Sequence, residues 1–403
     1  MSQNSSVAAE RRRDATTDGR VPMAIYCTYF GIDSHLRTTT ICALTPEDGE
    51  LRTRTFKGND YGEMAEWMAG FPQPSHGVYE SGCTGFVPAR MLTRGDTLVE
   101  PVASSKLPSS ADSRSRKNDR RDAERLARLA LAGEVSPVWV PPEQVEGLRE
   151  LAQAMDDLAC VREAARQRVN AILCRHGISW DERTPTGRLK KRWGQHFWNW
   201  LRSIDLGDAG SQAAYLAALS AAESAEVACD ELRARAEGIA RVSDLGPVID
   251  ALMCVKGVGF SSALAFAAEV GDFSRFASGR KVTSYFGLAP SESSSAESRR
   301  LGRISRNGCA LVRKLLIEGA WVLARGNPAC RKRGGTSVPL AIREHARACS
   351  GRLLGRRGEL VSRGLMPCKA NTATAAEMAR MLLHVGRDAQ EAAVLATEVA
   401  RAA

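Results

Sequence analysis

The chain has 403 residues, of which 44% are hydrophobic and 25% charged, with a net charge of +10 and a pI near 9.2. That size allows two or three domains with packed cores, and no apolar run reaches the roughly 18 residues needed to cross a membrane. The basic excess points to a polyanionic partner, nucleic acid before an acidic membrane, while eleven scattered cysteines without a CxxC pair argue against a disulfide framework or a zinc site.

Residues 1–22 lack the apolar segment of a signal peptide and read as a disordered basic tail. From Met23 the chain turns apolar and β-branched. "MAIYCTYFGID", "TTTICALT" and "LRTRTFKG" read as three strands, the last two separated by the turn "PEDG". A short helix "YGEMAEWMAGF", a strand "HGVYES", a helix "TGFVPARMLTRG" and a strand "TLVEPV" follow. Strands in succession and then helix and strand in alternation predict a mixed α/β sheet over 23–135. Ala123, Leu126, Ala127, Ala130 and Leu131 recur at helical spacing, and Gly133 ends that helix.

"VSPVWVPPEQ" is a proline-rich connector. Residues 136–245 read as an α-helical spacer of coiled-coil or hairpin character, with one helix over 145–177 and another over 212–242. Between them lies a basic, aromatic patch of Lys190, Lys191, Arg192, Trp193, His196, Phe197, Trp198 and Trp200. Tryptophans packing a helical core are the favoured reading of that patch; a surface that stacks on unpaired bases is the other. A third unit spans 246–340, and a helical tail occupies 341–403.

Four acids in the first unit are placed to meet. Asp33 ends the first strand and Glu80 ends "HGVYE". Asp119 and Asp122, three apart, share one helix face and extend its core-facing stripe. Inward acids are costly unless neutralised, and a divalent cation is the usual remedy. A set of hard oxygen ligands without thiol or imidazole favours Mg²⁺ or Mn²⁺, which in pairs serve phosphodiester chemistry. Singly, each acid has a structural reading: Asp119 as an N-cap, Asp122 as a first-turn acid, Asp33 as a turn residue, Glu80 as an ion-pair partner.

"LMCVKGVGFSSALAFAAEVGDFSRF" in the third unit has the form helix, glycine turn, helix. Gly257 and Gly259 permit close backbone approach there, either to a DNA phosphate, as in a helix-hairpin-helix, or simply within the turn. From Arg299 to Arg333 there are ten lysines and arginines and one acid, Glu318, which marks a phosphate-binding surface. The serine-rich run Ser291–Ser298 precedes it. Alone that run could be a linker; beside Arg299, Arg300, Arg303 and Arg306 it could hold a nucleophile, because arginine forks match phosphate oxygens and stabilise a phosphorane-like transition state.

"GIDSH", "YESGCTGF" and "KNDRRDAERLARLALAGEVSPVWVP" resemble the N-terminal domain of the DEDD-type insertion-sequence transposase family, the bridge-RNA-guided recombinases. "VKGVGFSSALAFAAEVGDFSRF…YFGLAPSESSSAESRRLGRISRNG" resembles that family's C-terminal domain, and together the match covers roughly 24–340. The resemblance implies an RNase H/RuvC-like mixed-sheet nuclease domain over 23–135, followed by the helical spacer. It implies a helical, serine-bearing transposase domain over 246–340. It places the DEDD set on Asp33, Glu80, Asp119 and Asp122, with Mg²⁺ or Mn²⁺ as cofactor. It also places a nucleophile on Ser295, with Ser294 as the alternative in a repetitive run. Two departures are visible: Ala296 stands where a glycine usually follows the serine, and Ser293 where an aromatic residue often stands.

The resemblance further implies that DNA, both element ends and target, is cut and rejoined through a phosphoserine link. It implies a non-coding guide RNA and a dimer or tetramer in which one subunit's DEDD domain works with another's serine domain. The expected location is the bacterial cytoplasm, on the nucleoid when bound to DNA. Two rivals stay open: a metal-dependent, Holliday-junction-type nuclease that uses the acids alone, and an inactive nucleic-acid-binding relic, which Ala296 keeps in view.

Overall fold

The computed structural model describes residues 26–108, 119–295, 298–324 and 337–402; the expected basic tail at 1–22 and Ala296 lie outside them. The chain divides between Pro141 and Pro142 into two compact units.

The first unit is built on β1 (Thr28–Ser34), β2 (Thr38–Thr45), β3 (Glu50–Lys57), β4 (Ser75–Glu80) and β5 (Thr97–Val102). They form one sheet in the order β3-β2-β1-β4-β5. β1 pairs antiparallel with β2 and β2 with β3, whereas β4 and β5 run parallel to β1. The antiparallel pairs need only short turns; the parallel ones need crossovers, supplied by α1 (Tyr61–Ala69) and α2 (Val87–Leu92). A final helix, α3 (Asp119–Leu131), packs across β1 and β2. This is the mixed sheet of an RNase H/RuvC-like domain, as expected.

β1 lies at the centre of the sheet and is buried over its first five residues. On the outside, β3 alternates exposed and half-buried positions and carries Glu50, Arg52, Arg54 and Lys57. At the other edge the proline-rich connector folds back on β5: the Val138 amide donates to the Pro101 carbonyl at 2.7 Å. The stripe anticipated on α3 is buried at Ala123, Leu126, Ala127 and Ala130.

The second unit begins with α4 (Glu143–Arg175), α5 (Gln195–Arg202) and α6 (Ala209–Val242). The long α4 and α6 run antiparallel. Leu148 and Ala152 near the start of α4 share a core with Ala236 and Ala240 near the end of α6. Val169 and Leu173 share another with Tyr215 and Leu219. The aromatic patch fills this second core: Phe197 is 1% exposed and Trp198 9%, with Trp180, Trp193 and Trp200 packed against them. The rings of Trp180 and Phe197 meet edge-to-face at 5.1 Å. Core packing therefore wins over base stacking for these rings. Phe197→Ala is expected to destabilise the helical pair by about 3–5 kcal/mol, read as a lower midpoint in denaturant titration. A normal midpoint with weakened RNA binding would overturn that assignment.

The remainder comprises α7 (Gly246–Met253), α8 (Phe260–Val270), α9 (Gly279–Tyr285), the strands β6 (Pro290–Ser295) and β7 (Ser298–Ile304), α10 (Ala310–Ala324), α11 (Leu340–Ser362) and α12 (Pro367–Ala402). α8 is apolar nearly all round and is buried accordingly. The segment expected as a helical tail is helical and belongs to the core. α12 packs against α7, α9, α10 and α11 and buries Met378, Leu382, Leu383 and Val385.

Candidate active site

Asp33 sits near the carboxyl end of the central strand, and α3 reaches it because of Gly31. A Cβ at Gly31 would overlap the Ala123 carbonyl and the Ala127 amide, so the helix backbone lies directly on the strand. That contact brings the first turn of α3 to the strand end. Ligand atoms of Asp33, His35 and Asp119 lie within 4.8 Å of one another. His35 Nε2 is 3.2 Å from Asp33 Oδ2, yet among the described residues no donor is aligned to hydrogen-bond that buried oxygen. Burial pushes the Asp33 carboxyl above its usual range; His35 opposes the shift, and the neighbouring Asp119 and Asp122 add to it.

The other acids are arranged less tightly. The pairing of Ile32 with Tyr79 makes Asp33 and Glu80 the next residues on adjacent parallel strands. Glu80 is exposed, however, and it is outside the ligand-distance group among the described residues. Asp119 is exposed and Asp122 half-buried: the α3 stripe opens to solvent at its first turn, where the sequence pattern had both acids facing inward. Of the four acids it is Asp33 that has a buried carboxylate oxygen without a hydrogen bond among the described residues, and that oxygen fits a cationic ligand.

His35 and Gly31 are the residues missed by sequence reasoning. The imidazole joins a set anticipated as oxygen-only. Both left signals: a histidine two residues beyond Asp33 falls on the same side of an extended chain, and a glycine inside a strand marks close approach of another backbone.

The serine run is a β-ribbon in the second unit. β6 and β7 pair antiparallel with Ser295 opposite Ser298, Ser294 opposite Arg299 and Ser293 opposite Arg300. Ser295 is thus the last residue of β6 at the ribbon tip; the side chains of residues 292–301 lie outside the described part. The root is fixed from several directions. The Ser305 amide donates to Ala289, the Arg306 amide to Gly287, and Arg313 Nη1 to the carbonyls of Phe286 (2.9 Å) and Asn307 (3.1 Å). Gly287 and Gly308, both at positive φ, permit the crossing, because a Cβ on either would strike backbone of the opposite segment. Arg303 and Arg306 are exposed along this ribbon and its exit. A linker would need none of these ties.

The glycine turn joins α7 to α8. Gly257, at φ +89, faces Gly319 of α10 so closely that a Cβ would lie 2.6 Å from the Gly319 carbonyl oxygen. Gly259 caps α8 and has open space before it.

Residues 30–177 match the family model of a DEDD transposase of insertion sequences, and residues 249–334 that of the IS116/IS110/IS902 transposase family. The protein y4qE of Sinorhizobium fredii, named as a transposase, is 31% identical over 389 residues, covering 93% of this chain and 92% of that protein. The transposase for insertion sequence element IS1533 of Leptospira borgpetersenii is 26% identical, covering 63% of this chain and 72% of its own. The transposase for IS1111A of Coxiella burnetii is 26% identical over 53% and 56%. No helix among the described residues is long and apolar enough to cross a membrane.

Proposed function

The chain belongs to the IS116/IS110/IS902 family of transposases, enzymes that cut and rejoin DNA, and on that footing we propose that it recombines DNA through a covalent link to Ser295. The observation that supports this reading is the anchored β6–β7 ribbon, with Ser295 the last residue of β6 and Ser294 opposite Arg299; in the first unit the seating of α3 on Gly31 gathers Asp33, Asp119 and His35 at one strand end. Asp33 and Asp119, with Glu80 and Asp122 beside them, would hold Mg²⁺ or Mn²⁺. When bound, such a cation supplies charge neutralisation at a phosphodiester. His35 steadies the Asp33 carboxylate.

In the proposed step the Ser295 oxygen loses its proton and bonds to phosphorus. One phosphorus–oxygen bond to a deoxyribose breaks, and that sugar oxygen leaves as a hydroxyl. Attack by the hydroxyl of the incoming strand reverses the exchange and frees the serine. Arg299, Arg300, Arg303 and Arg306 carry the charge that receives the phosphate, and the turn at Gly257 and Gly259 holds DNA backbone near α8.

The acids belong to a nuclease domain over 23–135 and the serine to a transposase domain over 246–340, with the 136–245 helices as spacer and 341–403 closing the chain. A dimer or tetramer, pairing the acids of one subunit with the serine of another, and a guide RNA encoded by the element complete the proposal. The location is the bacterial cytoplasm, at the nucleoid.

The test is junction-spanning amplification of the excised circular element in cells. Wild type is expected to give junctions, and Ser295→Ala and Asp33→Asn none. Junctions surviving Ser295→Ala would sink the nucleophile assignment and favour Ser294 or a nuclease that uses the acids alone.

A further inference from the structure

A cavity of about 520 Å³ opens on the second unit where the start of α9 meets α11 and α12. Arg280, Arg352, Arg380 and His384 line it, against one carboxylate, Glu377. It lies apart from the serine ribbon in sequence and draws on two helices, α11 and α12, beyond the segment 249–334 that the family model matches.

The arginines are held in two ways. Arg380 is fixed: its stem lies against Gly279, where a Cβ would come within 2.9 Å of its Cγ. Its Nε donates to Thr283 Oγ1 at 3.3 Å and its Nη1 reaches Glu377 at 3.1 Å. Glu377 is thereby occupied by Arg380. Arg280 and Arg352 are exposed, and among the described residues neither has a carboxylate within ion-pair distance. Arg352 Nη2 donates to the Cys349 sulfur at 3.8 Å. Further along α11 Arg356 pairs with Glu359, as does Arg363 just past the helix end. A concave site with one anchored guanidinium and two unsatisfied ones selects a tetrahedral anion with several equivalent oxygens.

We propose that the cavity formed by Arg280, Arg352 and Arg380 binds a phosphodiester of the nucleic-acid backbone, a contact separate from the cleavage site. The proposal rests on the reading of the chain as an enzyme acting on nucleic acid. Arg280 and Arg352 bind the phosphate oxygens directly, and Arg380 forms the fixed wall. The backbone chemistry is shared by DNA and RNA, so the two are separate arms of the test.

Fluorescence anisotropy of the full chain is measured at several salt concentrations. One probe is a labelled random-sequence DNA duplex and the other a labelled single-stranded RNA. The protein is wild type, Arg280→Ala/Arg352→Ala, or the control Arg233→Ala/Arg235→Ala, which removes two exposed arginines from α6. Removing two phosphate contacts is expected to flatten the slope of log affinity against log salt by about 2 on duplex DNA, or somewhat less on single-stranded RNA. Affinity should fall about tenfold or more at low salt, with the control unchanged. The probe that responds identifies the strand. Matching melting curves for the variants establish that folding is intact; the substituted side chains are exposed.

Binding by wild type with identical slopes for the double variant on both probes would overturn the pocket while leaving the enzyme reading in place. Equal losses in the control would also overturn it, since bulk charge would then explain the effect. Absence of binding by wild type to either probe would overturn both.

Discussion

Asp33→Asn is expected to abolish excision, with a loss of more than about a hundredfold, and yet to leave the first unit at least as stable as wild type in metal-free buffer. The activity loss follows from removing a ligand rather than one of its supports, whose loss alone costs about 10–100-fold. The stability expectation follows from the site itself. Oδ2 of Asp33 is buried and unsatisfied, and burial together with Asp119 and Asp122 disfavours its charge. An amide of the same shape relieves that repulsion. Thermal melting with and without Mg²⁺ or Mn²⁺ separates the two effects. Wild type should gain about 2.7 kcal/mol at a cation concentration a hundred times its dissociation constant, and Asp33→Asn should gain little. A variant that melts well below wild type in metal-free buffer would mean that the carboxylate is a structural partner and not a ligand.

Gly31→Val should be as damaging for a different reason. Its side chain would have to occupy space held by the Ala123 carbonyl, the Ala127 amide and the Leu126 Cβ. Backbone cannot turn aside as a flexible side chain can, so α3 must lift from β1. The penalty should approach about 3 kcal/mol, the upper part of the usual overpacking range, with a melting-temperature drop of roughly 10 °C or more for a unit of this size. Excision should vanish with it, because Asp119 and Asp122 ride on the same helix. The comparison is Gly147→Ala on α4, where a Cβ meets nothing within 4 Å; that change should be neutral or stabilise slightly, as alanine is the better helix former. If Gly31→Val melted like wild type, the close seating of α3 would be wrong.

Much of this architecture was legible because it rests on local rules. β2 runs over the same eight residues, Thr38–Thr45, that the apolar pattern "TTTICALT" marks. The α3 stripe was visible because its buried residues recur at helical spacing. The long helices α4 and α6 carry no interior proline that would stop them. What escaped depends on partners distant in sequence. His35 gains meaning only when Asp119 arrives from about eighty residues away, and no local pattern requires that. The exposure of Asp119 escaped for a related reason: periodicity gives the direction of a face, and the packing of its neighbours decides where that face ends. The ribbon at Pro290–Ile304 was hidden by composition. Serines, arginines and a glycine have weak strand preference, so its register comes from the ties at Gly287, Arg306 and Gly308.

The sheet's two margins bear on how this protein behaves at high concentration. An unpaired strand edge is where sheets of separate molecules can join and aggregate. On the β5 side that route is blocked by the chain itself, through Val138 on Pro101. On the β3 side it is discouraged by solvated charge: Arg52 pairs with Glu50 along the strand, and Arg54 with Glu63 of α1. Continuation of the sheet from one molecule to the next is therefore disfavoured at both margins. The copies required by the proposed assembly would have to meet through other faces, and replacing Arg52 and Arg54 by valine would trade orderly association for insoluble protein.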